Sequence, residues 1–202
     1  MAYRIDPIWS GRTVVILGGG ASLTAKVVRQ IAIARQRDRC RVIAVNDTVY
    51  LAWWADWLHA ADCKWLYWHS DAVCKFPGIK TTICENVPND WVTGKLRVTG
   101  IEGYDPTHGC IRTGKNSGYQ AIHCAAQAGA KQIALVGFDM QGPHWFGSHR
   151  DEIKNDLVGI CLPYFETLKL DERGIDVVNC SPHHRLQCFR RAPLESVIGT
   201  EI

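Results

Sequence analysis

The chain has no C-x-x-C pair, no apolar run long enough to cross a bilayer, and no block of lysine or arginine. Each absence removes a class of protein. Nine cysteines at positions 40, 63, 74, 84, 110, 124, 161, 180 and 188 are odd in number and irregular in spacing. Neither a disulfide framework nor a zinc ribbon follows from them. Most sit in apolar company, as Cys124 does in AIHCAAQ, and read as reduced thiols filling the core of a cytoplasmic protein. No stretch approaches the ~18 uncharged apolar residues of a membrane span, and MAYRIDPIWSGR carries no apolar signal segment. Repeats, low-complexity tracts and linkers are also missing. With 202 residues, 47% of them apolar, one domain over residues 1–202 can bury a full core without staples. The formal net charge of +3 is dispersed, which suits phosphorylated ligands better than a nucleic-acid tail.

What is present is a strand and helix alternation. Thr13–Leu17 (TVVIL) reads as a strand buried on both faces and stops at Gly18-Gly19-Gly20. Ser22 is placed to cap a helix in which Leu23, Val27, Ile31 and Ala34 recur at helical spacing. A second buried strand, Arg41–Val45, ends at Asn46-Asp47, which completes the opening of a parallel βαβ unit. Further strands are expected at Asp56–Ala60, ending at Asp62, and at Gly78–Ile83. Residues Cys84 to Thr113 read as a long connection with one edge strand near Leu96–Thr99. Asn116-Ser117-Gly118 opens a helix over Tyr119–Gly129, followed by the strand Gln132–Val136 and the turn Gly137-Phe138-Asp139. A long helix within Ile153–Glu172, a strand Ile175–Val178 and the turn Asn179-Cys180-Ser181-Pro182 complete the pattern. The fold class is α/β, one Rossmann-like domain with a mostly parallel sheet flanked by helices.

In such a sheet, ligands bind beyond the carboxyl ends of the strands. Gly18, Gly19, Gly20 and Ser22, with the first N–H groups of the helix after them, can approach and hold phosphate; a ligand-free tight turn is the plain alternative. The spacing is neither G-x-G-x-x-G nor a P-loop, because Leu23 replaces the third glycine and no Gly-Lys-Ser/Thr follows. Asn116, Ser117 and Gly118 repeat small donors at a second helix start. Asn46, Asp62 and Asp139 stand at strand ends, suited to a base or ribose, or to Mg²⁺. The loop HWFGSH offers His144 and His149 as general bases beside two aromatic rings, or packs on the surface; metal binding lacks a third ligand. His183-His184 near Cys180 likewise lack partners for a metal. Trp53, Trp54, Trp57, Trp65 and Trp68 crowd one short stretch. Trp54, Trp57 and Trp65 are too many for one sheet layer, which leaves some for a ligand cleft or a homo-oligomer interface.

Taken in order, ILGGGASL, VIAVND, NSGYQAIHCAAQAGAKQIALVGFDM, HWFGSH and GIDVVNCSP…LQCF resemble the bacterial lipooligosaccharide sialyltransferases. The chain is also similar to the domain family named for archaeal 6-hydroxymethylpterin pyrophosphokinase, and to small phage and prophage proteins grouped with it. The likeness spans all but the middle third and is most specific over Ser117–Asp139. It implies a cytidine-nucleotide site at Gly18, Gly19, Gly20, Ser22 and Asn46, a second contact at Ser117 and Gly118, and a histidine base at His149. The histidine element is one residue longer than the family's, so His144 stands beside His149. The family's pair of phosphate-steadying tyrosines has no counterpart in Met140-Gln141-Gly142-Pro143. What the resemblance implies is a transferase that takes a nucleotide or nucleotide-sugar donor without a required cofactor. The rivals are a Mg²⁺-dependent pyrophosphokinase using Asp62 and Asp139, and a catalytically silent nucleotide-binding or assembly protein.

Overall fold

At the centre of the sheet lies β1 (Thr13–Leu17), whose β-branched residues are buried on both faces because strands flank it on each side. It pairs in parallel with β2 (Arg41–Val45), Val14 opposite Arg41, and with β8 (Gln132–Val136), Leu17 opposite Val136. The computed structural model describes residues 3–147, 158–182 and 185–200. Beyond β2 the sheet continues through β3 (Trp57–His59), β4 (Ile79–Thr82) and β5 (Gly94–Lys95). Beyond β8 it continues through β9 (Asp176–Asn179) and β10 (Arg190–Arg191). The eight strands run in the order β10-β9-β8-β1-β2-β3-β4-β5, all pairs parallel. A separate parallel pair, β6 (Arg97–Gly100) and β7 (Cys110–Arg112), is built from the segment expected to be mostly loop.

Two-residue periodicity sends Val14 and Ile16 to one face and Val15 and Leu17 to the other. The first face carries α4 (Ser117–Gln127) and α5 (Val158–Glu166). The second carries α1 (Ala25–Gln36), α2 (Cys63–Trp68), α3 (Ser70–Lys75) and α6 (Leu194–Ile198). Having two faces resolves the tryptophan crowding. Trp57 and Trp65 are both fully buried, the one under α4 and the other on the opposite side, while Trp54 packs at the edge of the second cluster. Arg35 ties the end of α1 to Asp56 at 2.8 Å, and Asp56 also accepts from the Val42 N–H.

Several expectations are corrected. Cys63 and Cys84 form a disulfide, joining the start of α2 to the end of β4, so the cysteines are not all reduced. Of the free thiols, Cys40, Cys110, Cys124 and Cys161 are core residues, but Cys74 and Cys188 are exposed. Thr24, not Ser22, caps α1: its hydroxyl accepts from Val27 N. The helix expected within Ile153–Glu172 is in place as α5, and a 3₁₀ turn at Asp171–Arg173 follows it. Among the described residues, no helix is long and apolar enough to cross a membrane.

Candidate functional site

The chain leaves β1 for α1 on one face and reaches α5 after β8 on the other, which makes the gap between β1 and β8 a topological switch point. A cavity of about 290 Å³ opens there. Its wall comes from Gly18, Gly19 and Gly20 after β1, Val45 at the end of β2, Asn116, Ser117 and Gly118 at the start of α4, and, after β8, Gly137, Phe138 and the stretch from Met140 to His144. Residues predicted from three separate stretches of sequence, Gly18 to Gly20, Asn116 to Gly118 and His144, therefore meet at one place, whereas Asn46 and Asp139 stand next to the wall rather than in it.

The glycines have a packing reason. A Cβ on Gly18 would sit 2.7 Å from the Gly137 carbonyl oxygen, and one on Gly118 would sit 2.6 Å from Phe138 Cε1. Phe138 is buried between the two loops, and its N–H donates to Ser181 Oγ at 2.8 Å. Neither contact was signalled in the sequence except by an aromatic residue standing opposite two glycines that are remote in sequence. The loop's donors are also occupied. Gly18 N–H donates to Val136 O and Gly20 N–H to Gly137 O, both at 2.8 Å. Ser22 donates its N–H (2.8 Å) and its hydroxyl to the two oxygens of Asp139. That carboxylate is a strut between the β1 and β8 loops. Ser22 lines a different cavity, of about 680 Å³, on the α1 side.

At the start of α4 the donors are arranged differently. Asn116 caps the helix by accepting from Tyr119 N at 3.1 Å, so the N–H groups of Ser117 and Gly118, in the first turn, have no helical acceptor and stand in the cavity wall. Asn46 adopts φ 50° at the end of β2 and donates through Nδ2 to Ser117 Oγ at 3.5 Å. Its Oδ1 is buried and has no hydrogen-bond partner among the described residues. A buried acceptor left unsatisfied costs ~1–3 kcal/mol, which a donor group on a ligand would recover.

The histidine loop closes over Gly19. Its carbonyl accepts from Trp145 N–H at 3.0 Å and from His144 Nδ1 at 3.1 Å. A carbonyl can only accept, so Nδ1 of His144 is the protonated nitrogen in this contact. The imidazole stacks on Phe146 with centroids 4.9 Å apart. His149, His183 and His184 lie outside the described residues. Asp62 is exposed at the cap of α2, where it accepts from Trp65 N at 3.1 Å, and is not part of the cavity wall. For Mg²⁺ the fit is poor: both Asp139 oxygens hold Ser22, Asp62 is elsewhere, and the described residues contain no group of three or more metal-ligating side chains.

No protein family's sequence model matches the chain, and no curated protein matches it in sequence. Solved structures do resemble it in fold. The MAf glycosyltransferase from Magnetospirillum magneticum AMB-1 superposes with a TM-score of 0.54 at 13% identity, over 95% of this chain but 35% of the other. This chain thus spans about a third of that enzyme. The sialyltransferase CstII from Campylobacter jejuni, solved with a substrate analogue, cytidine-5'-monophosphate, gives 0.51 at 14% identity, over 90% and 85% of the two chains. At these identities the likeness is one of architecture: the chain has a glycosyltransferase-like, Rossmann-like α/β fold.

Proposed function

We propose that the chain is a transferase that binds a nucleotide-activated donor between β1 and β8 and uses a histidine of the 144–149 loop as general base. The observation that carries this reading is that Ser117 and Gly118, in the first turn of α4, line the cavity, while Asn46, which donates to Ser117 Oγ just behind that wall, keeps a buried Oδ1 with no partner among the described residues. One element calls for a donor on a nucleoside, and the other suits the oxygens of its phosphate. Binding of a cytidine nucleotide by a protein of similar fold supports the same assignment. His144, which lines the cavity, is one candidate base, and His149, implied by the resemblance, is the other. Inverting displacement at the activated carbon needs positioning, a proton acceptor and a stabilised leaving phosphate, and no metal enters these steps.

Thermal shift against nucleoside mono- and diphosphates and nucleotide sugars tests the pocket. A ligand at 100 times its Kd stabilises the native state by about 2.7 kcal/mol. The shift is expected to disappear in Asn46→Ala and to survive in His144→Ala, which instead loses turnover by about 100-fold or more. Silence across the whole panel would leave the catalytically silent reading in possession. A nucleotide that binds only with Mg²⁺ would favour the pyrophosphokinase.

A further inference from the structure

The second cavity, of about 680 Å³, falls in the size range of small-molecule sites and adjoins the first. The partition between them is one layer of residues thick. Gly20 lines the first cavity and Ser22 the second, and Gly137 the first and Val136 the second. Asp139 clamps Ser22, and Phe138, in the wall of the first cavity, donates its N–H at 2.8 Å to Ser181 Oγ in the wall of the second. An occupant of the second cavity therefore rests on residues that shape the first.

The two cavities differ in chemistry. Val27, Val136 and Leu194 make part of the second wall aliphatic, and among the described residues no aromatic side chain lines it, so a nucleobase would find no ring to stack on. Arg191 and Glu195 are its charged residues, and neither forms an ion pair among the described residues. Arg191 Nη2 donates to the Pro182 carbonyl at 2.7 Å, which leaves the other guanidinium donors open. Glu195 Oε1 accepts from the neutral Gln30 amide at 3.3 Å, which leaves Oε2 open. Cys180 also lines this cavity; burial pushes its thiol up to about 11, Arg190 opposes the rise and Glu195 adds to it. Four residues apart in the chain, Arg191 and Glu195 have Cα atoms at most about 14 Å from each other, a span suited to the two ends of a di- or tripeptide at about 3.3 Å per residue. For the peptide's own amides, Gln30 Oε1 can accept and the Thr24 hydroxyl, whose oxygen accepts from Val27 N, can donate.

We propose that the second cavity binds a short aliphatic peptide with both ends free, its carboxylate on Arg191 and its ammonium on Glu195, and that this peptide tightens ligand binding in the first cavity through the shared partition. A peptide that holds Ser22 and Ser181 in place leaves less ordering to be done when the first cavity fills, and linkage makes the effect reciprocal. The peptide site stands on its own observations; the coupling alone rests on the reading of the β1/β8 cavity as a nucleotide site.

Calorimetric titration of the whole chain with leucyl-leucine, alanyl-leucyl-alanine and free leucine tests the site. Both peptides are expected to bind and to slow alkylation of Cys180, mapped by peptide mass spectrometry, with free leucine about 10-fold weaker because its two charges flank a single carbon. Amidating the carboxylate or acetylating the ammonium of the tripeptide should each weaken it by about 10-fold. Arg191→Ala should weaken the free peptide by the same factor and erase its advantage over the amide, and Glu195→Gln should erase its advantage over the acetylated form. With any nucleotide that raises the melting temperature, the tripeptide should lower the nucleotide's Kd by about 5-fold or more. No binding of either peptide, free leucine binding as tightly as they do, or peptide binding indifferent to both substitutions overturns the site. A peptide that binds without changing nucleotide affinity overturns the coupling. If no nucleotide binds, the nucleotide reading and the coupling fall together, while the peptide site is still decided by its own titration.

Discussion

The helices α1 and α4 cover opposite faces of one parallel sheet and are built on different principles. α1 buries only Val28, Ile31 and Ala34, and its outer side is wet. In α4 every residue from Gly118 to Gln127 is buried, polar ones included, because α5 and the β6/β7 segment close over it from outside. On such a helix a polar side chain has to find its partners inside the protein. Gln120 bridges His59 Nε2 (3.0 Å) and the Thr113 carbonyl (3.1 Å). His59 in turn accepts from Thr81, which accepts from the Trp57 indole at 2.7 Å. Gln127 accepts from Gly109 N–H and donates to the carbonyls of Asp105, Thr107 and Cys110. One face therefore packs mainly with apolar side chains, its polar ties such as Arg35–Asp56 and Trp65–Asp47 being single contacts, and the other with a satisfied polar network that also holds the loops leading to the cavity.

Acid is the largest expected way to break this contrast. Burial pushes His59 and His123, both on the α4 side, down to about 4. In the unfolded chain they titrate near 6.5, so below that pH the unfolded state takes up protons that the native state refuses. The stability present above pH 6.5 is lost as pH falls toward 4, at about 3 kcal/mol for each histidine. Asp105 and Asp176, whose carboxyls are held below their ordinary value, add losses only at lower pH still. Urea unfolding across pH 7 to 4 measures the effect, and His59→Gln should remove about half of the slope. A flat profile would mean that the network tolerates a charge.

Next in size is Gln127→Ala. It leaves one N–H without its acceptor and three carbonyls without the two amide hydrogens they share, and with about 1 kcal/mol for each hydrogen bond the expected loss is about 3 kcal/mol. The matched change on α1, Gln30→Ala, removes one exposed contact to Glu195 and should stay within about 0.5 kcal/mol. Comparable losses at both positions would erase the distinction between the faces.

The α1 face has a staple of its own. The Cys63–Cys84 disulfide closes a loop with a sequence separation of 21, for which chain entropy predicts about 3 kcal/mol. Melting with and without a reductant gives the loss. Alkylation of the unreduced, denatured chain should find 7 thiols rather than the 9 of the sequence.

Legibility in the sequence followed the same division between local and remote. β1, β2 and β8 lie where their apolar runs place them, since a strand buried on both faces is written in consecutive residues. The two-residue strands β5 and β10 leave no periodicity to read. The disulfide joins cysteines in no recognisable motif, and the site's closures depend on pairs such as Gly118 with Phe138 or Asp139 with Ser22 that only the finished fold brings together. The polar residues Gln120, His123 and Gln127 mark a face that would be solvent-exposed on an isolated helix, so nothing local announced that α4 would be covered on every side.

The smallest predicted effect tests that division at a single helix start. Ser22 and Thr24 are both good caps by residue type, and local rules do not separate them. Asp139, 117 residues away, claims both the N–H and the hydroxyl of Ser22, and this leaves Thr24 in extended geometry (φ −91°, ψ 159°) to accept from Val27 N. Thr24→Ala should therefore lower stability by about 1 kcal/mol, through α1 alone and without changing the proposed nucleotide binding. Asp139→Asn, which weakens the hold on Ser22, should alter the proposed nucleotide binding because it frees the loop that forms one wall of the cavity. If Thr24→Ala has no effect and Asp139→Asn frays α1 instead, then capping at this end is governed from the β8 loop, and the α1 face depends on remote contacts as much as the α4 face does.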